Sequence, residues 1–250
     1  MLKNIIYSLV TVFLLSFSSS IMAENTSNKL YTYLLLGQSN MTGQGLVNEL
    51  DEQQKTLGNH VKLYVHGKLA SLSTLNKFGP EVSFAQTFSK KHPKSLLHLI
   101  KFAPGGSLMK DWISKDRGKH YDTLVKQVKK ANGGVIPKID GVLWMHGERD
   151  TKSKELADNY EKGLMTFIKM LQTDFKNNKL PIALARISIP AAFRPAVSEV
   201  RLAQEHISTT SPFIHLISTD DLSKTSDKVH FDTKGQLVLG KRFAEVLLNN

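Results

Sequence analysis

A serine follows an apolar, strand-like run near the start of the chain. The run covers residues 31–36 (YTYLLL), and the GQSN sequence of residues 37–40 comes directly after it. Because ligands bind at the carboxyl ends of parallel strands, this position would present the Ser39 hydroxyl in a binding cleft. A turn into a helix there would also aim backbone N–H groups at developing negative charge. Ser39 is therefore a candidate nucleophile, although the pattern also fits a residue that caps a helix.

An acid and an imidazole lie close together near the C-terminus. Asp227 and His230 are three residues apart in the DKVHFD sequence of residues 227–232, just before the last predicted helix. A serine nucleophile needs a base to take its proton, and the base needs a carboxylate to hold its tautomer. Ser39, His230 and Asp227 match these roles. Taken alone, the pair also fits a capping loop with an exposed histidine.

Four short sequence blocks occur in order along the chain. They are GQSN at 37–40, GGSL at 105–108 with Trp112 behind it, WMHGERD at 144–150 and DKVHFD at 227–232. Together they resemble the SGNH hydrolases, in the carbohydrate O-acetylesterase branch that includes sialate O-acetylesterases and acetylxylan esterases. The resemblance covers almost all of the chain after residue 23. It implies a serine esterase that removes acetyl groups from a glycan through an acyl-enzyme, with no cofactor.

The resemblance also implies roles for individual residues. Ser39 would be the nucleophile, His230 the general base and Asp227 its orienting acid. The oxyanion hole would consist of the Ser39 N–H, the Gly106 N–H and a side chain from the third block. The family's glutamine in that block is His146 here. We therefore expect the His146 imidazole to donate to the oxyanion, the alternative being a packing position beneath Trp144.

Other residues of the blocks are secondary candidates that would support the site or contact the substrate. Trp112 could stack on a sugar ring, and it equally fits a packing position at the edge of the sheet. Gly105 could shape the turn that presents Gly106. The full secondary set is Gln38, Asn40, Gly105, Trp112 and Glu148.

Several other chemistries fit the sequence less well. Glu148 and Asp150 could form a glycosidase carboxylate pair, but two acids in one loop are easily met by chance. The resemblance implies instead that Glu148 supports the site, and we expect Asp150 to cap the following helix. The HGE sequence of residues 146–148 lacks the second histidine that a zinc hydrolase needs, so we expect no metal. The chain has no cysteine, which excludes thiol catalysis.

Apolar runs alternate with helical patterns along the chain. Strands are predicted at 31–36, 96–103, 141–145, 181–188 and 213–219, and helices at about 82–91, 121–131, 154–175, 197–208 and 236–248. This alternation with right-handed crossovers predicts a three-layer α/β/α sandwich with a central, mostly parallel sheet of about five strands. With no repeat or linker composition, residues 24–250 are predicted to form a single domain. The strand ends would bring Ser39, Gly105 with Gly106, and the HGE sequence of residues 146–148 to one edge of the sheet.

Residues 1–23 have the pattern of a cleaved secretory signal. Lys3 precedes an apolar stretch at 5–17, and small residues follow at 18–23. The apolar part is short and interrupted by serine, which disfavours a membrane span. We therefore expect an exported protein, periplasmic or secreted, with no stable membrane anchor. An uncleaved N-terminal anchor is the alternative.

The chain carries a formal net charge of +11, spread over many lysines. A basic surface could attract an acidic glycan or anionic lipid, but no nucleic-acid motif accompanies the charge. We expect an acetylated carbohydrate as the partner, and no nucleic acid. Alternative functions are an SGNH lipase, a thioesterase or a peptidoglycan deacetylase. An alternative from another class is a non-catalytic glycan-binding protein on the same fold.

The N-terminal segment yields a prediction about the mature protein. Because a signal peptidase removes segments of this kind, we expect the mature chain to begin near Glu24 and to lie outside the cytoplasm. Intact-mass measurement on protein from its natural compartment checks this, with unprocessed full-length chain as the mass standard. A mass that includes residues 1–23 would indicate an anchor instead.

Overall fold

The computed structural model describes residues 29–113 and 118–249, so the predicted signal segment lies outside the described residues. No helix within these ranges is long and apolar enough to cross a membrane. The strands are β1 (Leu30–Gly37), β2 (Gly45–Leu46), β3 (Val61–Val65), β4 (Lys68–Ala70), β5 (Lys77–Phe78), β6 (Leu96–Phe102), β7 (Gly141–Met145), β8 (Ile182–Ala185) and β9 (Ile214–Ile217). The helices are α1 (Ser39–Thr42), α2 (Glu81–Lys91), α3 (Lys110–Ile113), α4 (Lys119–Ala131), α5 (Lys154–Asp158), α6 (Tyr160–Asp174), α7 (Val197–Thr209) and α8 (Thr233–Leu247).

A seven-stranded sheet in the order β4-β3-β6-β1-β7-β8-β9 forms the middle layer. All neighbouring strands are parallel except β3 and β4. Helices α2 and α8 pack together on one face, where the Tyr33 ring meets Phe84. The ring of Phe167 on α6 packs on Trp144 at the other face. The predicted three-layer sandwich with a mostly parallel sheet is confirmed.

The sheet contains two more strands than the five predicted. Strands β3 and β4 form an antiparallel hairpin beside β6, where the sequence pattern predicts neither a strand nor a helix. The turn residues His66 and Gly67 both have positive φ (51° and 69°), which suits the twist of a two-residue hairpin. Leu63 is the one fully buried side chain of the hairpin strands. The apolar pattern of such a short edge hairpin is too weak for its strands to be predicted from the sequence.

The helix predicted over residues 154–175 is two helices, α5 and α6, that meet at Asn159. The Asn159 side chain donates to the Glu155 carbonyl (2.8 Å), a side-chain bond that competes with regular helix pairing. The predicted apolar stripe is buried as core along α6, at Leu164, Phe167 and Leu171. The helical period was therefore visible in the sequence, but the break was not.

Candidate active site

The turn that carries Ser39 is locked onto the end of two central strands. Gly37 ends β1 with a φ of 150°, and a Cβ there would lie 1.9 Å from the Met145 carbonyl oxygen of β7. Only glycine permits this approach. The Gln38 N–H donates to the same carbonyl (3.0 Å), and the Thr42 hydroxyl donates to the Ala103 carbonyl after β6 (2.6 Å). The helix that follows is a single turn, which leaves Ser39 half-buried at its start.

Ser39, His230 and Asp227 form one hydrogen-bonded series. His230 Nδ1 lies 2.6 Å from Asp227 Oδ2, and His230 Nε2 lies 2.9 Å from Ser39 Oγ. Because an ionised carboxylate can only accept, Nδ1 is the donor, and Nε2 is left to accept from the serine hydroxyl. The structure therefore brings these three predicted residues together in the order that proton transfer from a serine requires.

Asp227 is held ionised by the loop around it. Its Oδ1 accepts from the N–H groups of Val229 (2.8 Å) and His230 (2.9 Å) and from the Thr225 hydroxyl (2.8 Å). Slight burial alone would raise the pKa of the Asp227 carboxyl, but these bonds and the His230 ring hold it well below its ordinary value. The carboxylate therefore stays negative at neutral pH and fixes the imidazole beside it.

Asn40 clamps the loop on both sides of His230. Its Nδ2 donates to the Val229 carbonyl (3.2 Å), and its Oδ1 accepts from the Phe231 N–H (3.0 Å). The same Nδ2 donates to Oε1 of the buried Glu148 (2.6 Å). Burial raises the pKa of the Glu148 carboxyl. Asn40 and Glu148, two of the secondary candidates, therefore position the imidazole.

A buried ion pair supports the nucleophile turn from below. Lys101 Nζ lies 2.8 Å from Glu81 Oε2 and donates to the Thr42 carbonyl (2.6 Å). Glu81 also accepts the Gly79 N–H (3.0 Å). A buried charge is tolerated when its partners are in place. The sequence interpretation missed this pair, although a lysine within the apolar run of residues 96–102 was a signal for it.

Ser39 and His230 open onto a cleft of about 310 Å³. Within the described ranges, the N–H groups of Ser39, Gly105 and Gly106 donate to no protein acceptor. These donors are therefore free to bind a ligand oxygen. The cleft is lined by Gln38, Ser39, Gly105, Gly106, Glu148, Arg149, Lys152, Ile189, Arg194, Val229 and His230.

Three cationic side chains surround the opening of the cleft: Arg149, Lys152 and Arg194. The Arg149 guanidinium reaches over Gly106, since its Nη1 would lie 3.5 Å from a Cβ at that glycine. Glu148 is the one acidic side chain in the lining, and it is bonded to Asn40. The cleft therefore presents net positive charge. The sequence interpretation did not single out these cations, since lysine and arginine are common throughout the chain.

His146 lies outside the cleft. Its ring is fully buried and stacks on Trp144 (5.0 Å between centroids) and Tyr160 (5.9 Å). Burial lowers the pKa of His146 to about 3, so the ring is neutral. Both ring nitrogens are buried, and His146 is not among the residues that line the cleft. The structure therefore places His146 in the packing position beneath Trp144, which was the alternative, and not among the residues that line the cleft.

Trp112 is also a packing residue. It is fully buried and meets Trp144 and Phe167 edge to face, at 5.3 and 5.2 Å between ring centroids. Its indole N–H donates to the Ser107 hydroxyl (3.3 Å). Trp112 therefore has no exposed surface on which a sugar could stack. Of the two alternatives for this residue, the structure shows packing.

Asp150 does not cap the helix that follows it. Its carboxylate accepts the Met109 N–H (3.0 Å), while α5 is capped by Ser153, whose hydroxyl accepts the Leu156 N–H (3.3 Å). Burial raises the pKa of Asp150 to about 7. Glu148 lines the cleft and Asp150 does not, so the two acids do not flank it as a glycosidase pair would. Within the described ranges no group of three or more acidic or histidine side chains could hold a metal ion.

Sequence comparison relates the chain to known proteins. A family model described as carbohydrate esterase, sialic acid-specific acetylesterase, matches residues 29–249. A curated relative from Arabidopsis thaliana, named a probable carbohydrate esterase, is 28% identical over 177 residues. That alignment covers 69% of this chain and 64% of the relative, so it spans less than two thirds of the relative's length.

Solved structures share the fold. A protein from Arabidopsis thaliana matches with a TM-score of 0.75 and 22% identity, over 90% of this chain and 99% of that chain. NanS matches with a TM-score of 0.67 and 14% identity, over 89% and 97% of the two chains. A carbohydrate acetylesterase from Xanthomonas citri matches with a TM-score of 0.67 and 15% identity, over 88% of this chain and 57% of that chain.

The Asn40 clamp yields a stability prediction. Asn40→Ala leaves Glu148 and the Phe231 N–H without their partner, and each buried unsatisfied group costs about 1–3 kcal/mol. We expect a lower free energy of unfolding in urea by roughly 2 kcal/mol or more. Asn178→Ala, at an exposed position, is the matched control and should stay within about 0.5 kcal/mol of the parent. Equal stability of the two variants would show that the clamp contributes nothing.

Proposed function

The chain belongs to the carbohydrate esterase family of sialic acid-specific acetylesterases, and from this premise we propose that it is a serine esterase that removes O-acetyl groups from a carbohydrate. The observation that carries the proposal is the hydrogen-bonded series from Ser39 through His230 to Asp227 beside an open cleft. In this proposal Ser39 is the nucleophile, His230 the general base and Asp227 the acid that orients it.

The first half of the reaction acylates the enzyme. His230 Nε2 takes the Ser39 proton while Oγ bonds to the acetyl carbonyl carbon, and the carbonyl electron pair moves onto oxygen. The negative Asp227 stabilises the imidazolium that forms. The free N–H groups of Ser39 and Gly106 are suited to receive the oxyanion. When the tetrahedral intermediate collapses, the bond to the sugar oxygen breaks and His230 returns its proton to that oxygen.

The second half releases acetate. A water molecule gives a proton to His230 Nε2 and bonds to the carbonyl carbon of acetyl-Ser39. The second tetrahedral intermediate expels Ser39 Oγ, which recovers its proton from His230. Every proton passes through the one imidazole, so the 2.9 Å and 2.6 Å contacts of His230 serve both halves.

The cleft favours this reading over the alternatives. A lipase needs an apolar surface for its acyl chain, whereas Ile189 and Val229 are the aliphatic residues that line this cleft, beside three cationic side chains. A non-catalytic glycan-binding protein would need neither a serine hydroxyl bonded to an imidazole nor the loop that keeps Asp227 ionised.

We also propose that the substrate carries a carboxylate near the acetyl ester. Arginine binds carboxylates through two parallel N–H bonds, and Arg149, Lys152 and Arg194 all line the cleft. An acetylated sialic acid or uronic-acid glycan supplies such a group, whereas the backbone of acetylated xylan is neutral. The basic character of the whole chain would also attract an acidic glycan.

Export remains part of the proposal. The lysine-led apolar segment at residues 1–23 supports a site of action outside the cytoplasm. Extracellular and periplasmic compartments are where acetylated polysaccharides would be met.

The proposed nucleophile has a direct test. Ser39→Ala should lose hydrolysis of 4-nitrophenyl acetate by a factor of roughly 10⁴ or more, because the attacking oxygen is gone. Thermal unfolding should stay close to that of the parent, since Ser39 is only half-buried. Ser226→Ala, at an exposed position of the loop before His230, is the matched control and should keep its activity. Turnover retained by a folded Ser39→Ala protein would disprove the assignment.

The proposed substrate charge has its own test. We expect a higher kcat/KM on acetylated sialic acid or acetylated uronic-acid oligosaccharides than on acetylated xylo-oligosaccharides. Loss of one charge-assisted bond, worth about 1.5–3 kcal/mol, should make Arg149→Gln lower the ratio of kcat/KM on the acidic sugar to that on 4-nitrophenyl acetate by roughly 10-fold or more. Lys179→Gln, on an exposed loop, should leave this ratio unchanged. A parent enzyme that prefers the neutral oligosaccharide would refute the proposal.

A further inference from the structure

The buried position of His146 leaves the oxyanion hole without the side-chain donor expected from the third block. We propose that the side-chain amide of Gln38 is that donor, an inference that rests on the esterase function proposed above. Gln38 is 2% exposed, lines the cleft and directly precedes Ser39. Its side chain makes no hydrogen bond to any residue that the structure describes.

The two ends of this amide are in different surroundings. Among the described residues Oε1 has no hydrogen-bond partner and is buried. Nε2 likewise has no partner among these residues and is not one of the buried atoms; because Gln38 lines the cleft, we assign Nε2 to the cleft side. An amide that is buried and unpaired costs about 1–3 kcal/mol. The Gln38 amide thus reduces the stability of the fold at a position beside the nucleophile. Its N–H₂ group, on the cleft side, is suited to bind a ligand that accepts hydrogen bonds.

The backbone holds Gln38 rigidly. Its N–H donates to the Met145 carbonyl (3.0 Å), and its carbonyl accepts from the N–H groups of Met41 and Thr42 (2.8 Å each). A donor that is fixed before the reaction stabilises developing charge without reorganisation. Arg149 also reaches towards Gly106, but it is exposed and would lose side-chain freedom on binding. We therefore assign the third donor to Gln38, whose side chain is buried, and not to the exposed Arg149.

The role of this donor differs between ground state and transition state. As Ser39 Oγ bonds to the acetyl carbon, the carbonyl oxygen gains negative charge, and the bond from Gln38 Nε2 strengthens. Loss of such a bond lowers kcat and leaves KM nearly unchanged. A residue that bound the sugar would instead matter little for a substrate that has no sugar.

The test compares Gln38→Leu and Gln38→Glu with the parent on 4-nitrophenyl acetate. Leucine keeps the approximate volume but removes both polar ends, and glutamate keeps the shape but lacks the N–H₂ group. Both should lower kcat by about 10²- to 10³-fold with KM within a few-fold of the parent. Gln53→Leu, the same change at an exposed position, is the matched control and should keep its activity.

Stability separates this role from a structural one. Because Gln38→Leu removes an unpaired buried amide, its melting temperature should equal or exceed that of the parent while kcat falls. A kcat within threefold of the parent in either folded variant would overturn the proposal, and so would a loss seen only on acetylated sugars. Loss of folding in both variants would assign Gln38 to structure and overturn it as well. A parent protein inactive on every acetate ester would refute the proposed function itself.

Discussion

The hydrogen bond from Asn40 to the buried Glu148 is the interaction on which the geometry of the cleft depends. It joins the turn after β1 to the loop after β7, and the same side-chain amide of Asn40 holds the backbone on either side of His230. Ser39 and His230 are 191 positions apart in the chain. Their 2.9 Å contact is maintained because the residue next to the serine holds the neighbours of the histidine.

Polar groups with incomplete hydrogen bonding are concentrated close to this clamp. Oε1 of Gln38 and Oε2 of Glu148 are buried without a hydrogen-bond partner among the residues that the structure describes, and the His146 ring nitrogens are buried beside them. Such groups reduce stability, and folds tolerate them where an apolar framework compensates. Here the framework is the central part of the sheet, where β1 and β7 are almost fully buried. The buried Lys101 and Glu81 pair adds support beneath the turn.

His146 shows the difference between a sequence position and a side-chain location. The third block aligns it with a glutamine of the family, and both side chains can donate an N–H. A planar aromatic ring gains from stacking on Trp144 and Tyr160, and His146 lies among these rings. A residue that replaces the usual one in a motif therefore need not take over its role when the two side chains pack differently. A donor to the oxyanion must then come from another segment that faces the cleft.

The sequence by itself determined the layered fold and five of the seven strands of the main sheet, and its resemblance to a known family implied the pairing of Ser39 with His230 and Asp227. The fold and strands follow from local periodicity, and the triad follows from four sequence blocks that occur in the order of the family's motifs. The edge hairpin and the helix break at Asn159 depend on weak local patterns and were not predictable. The tertiary structure alone decided that Trp112 and His146 are buried and that Arg149, Lys152 and Arg194 meet at the cleft. Side-chain burial depends on contacts between distant segments, and no local pattern in the chain records those contacts.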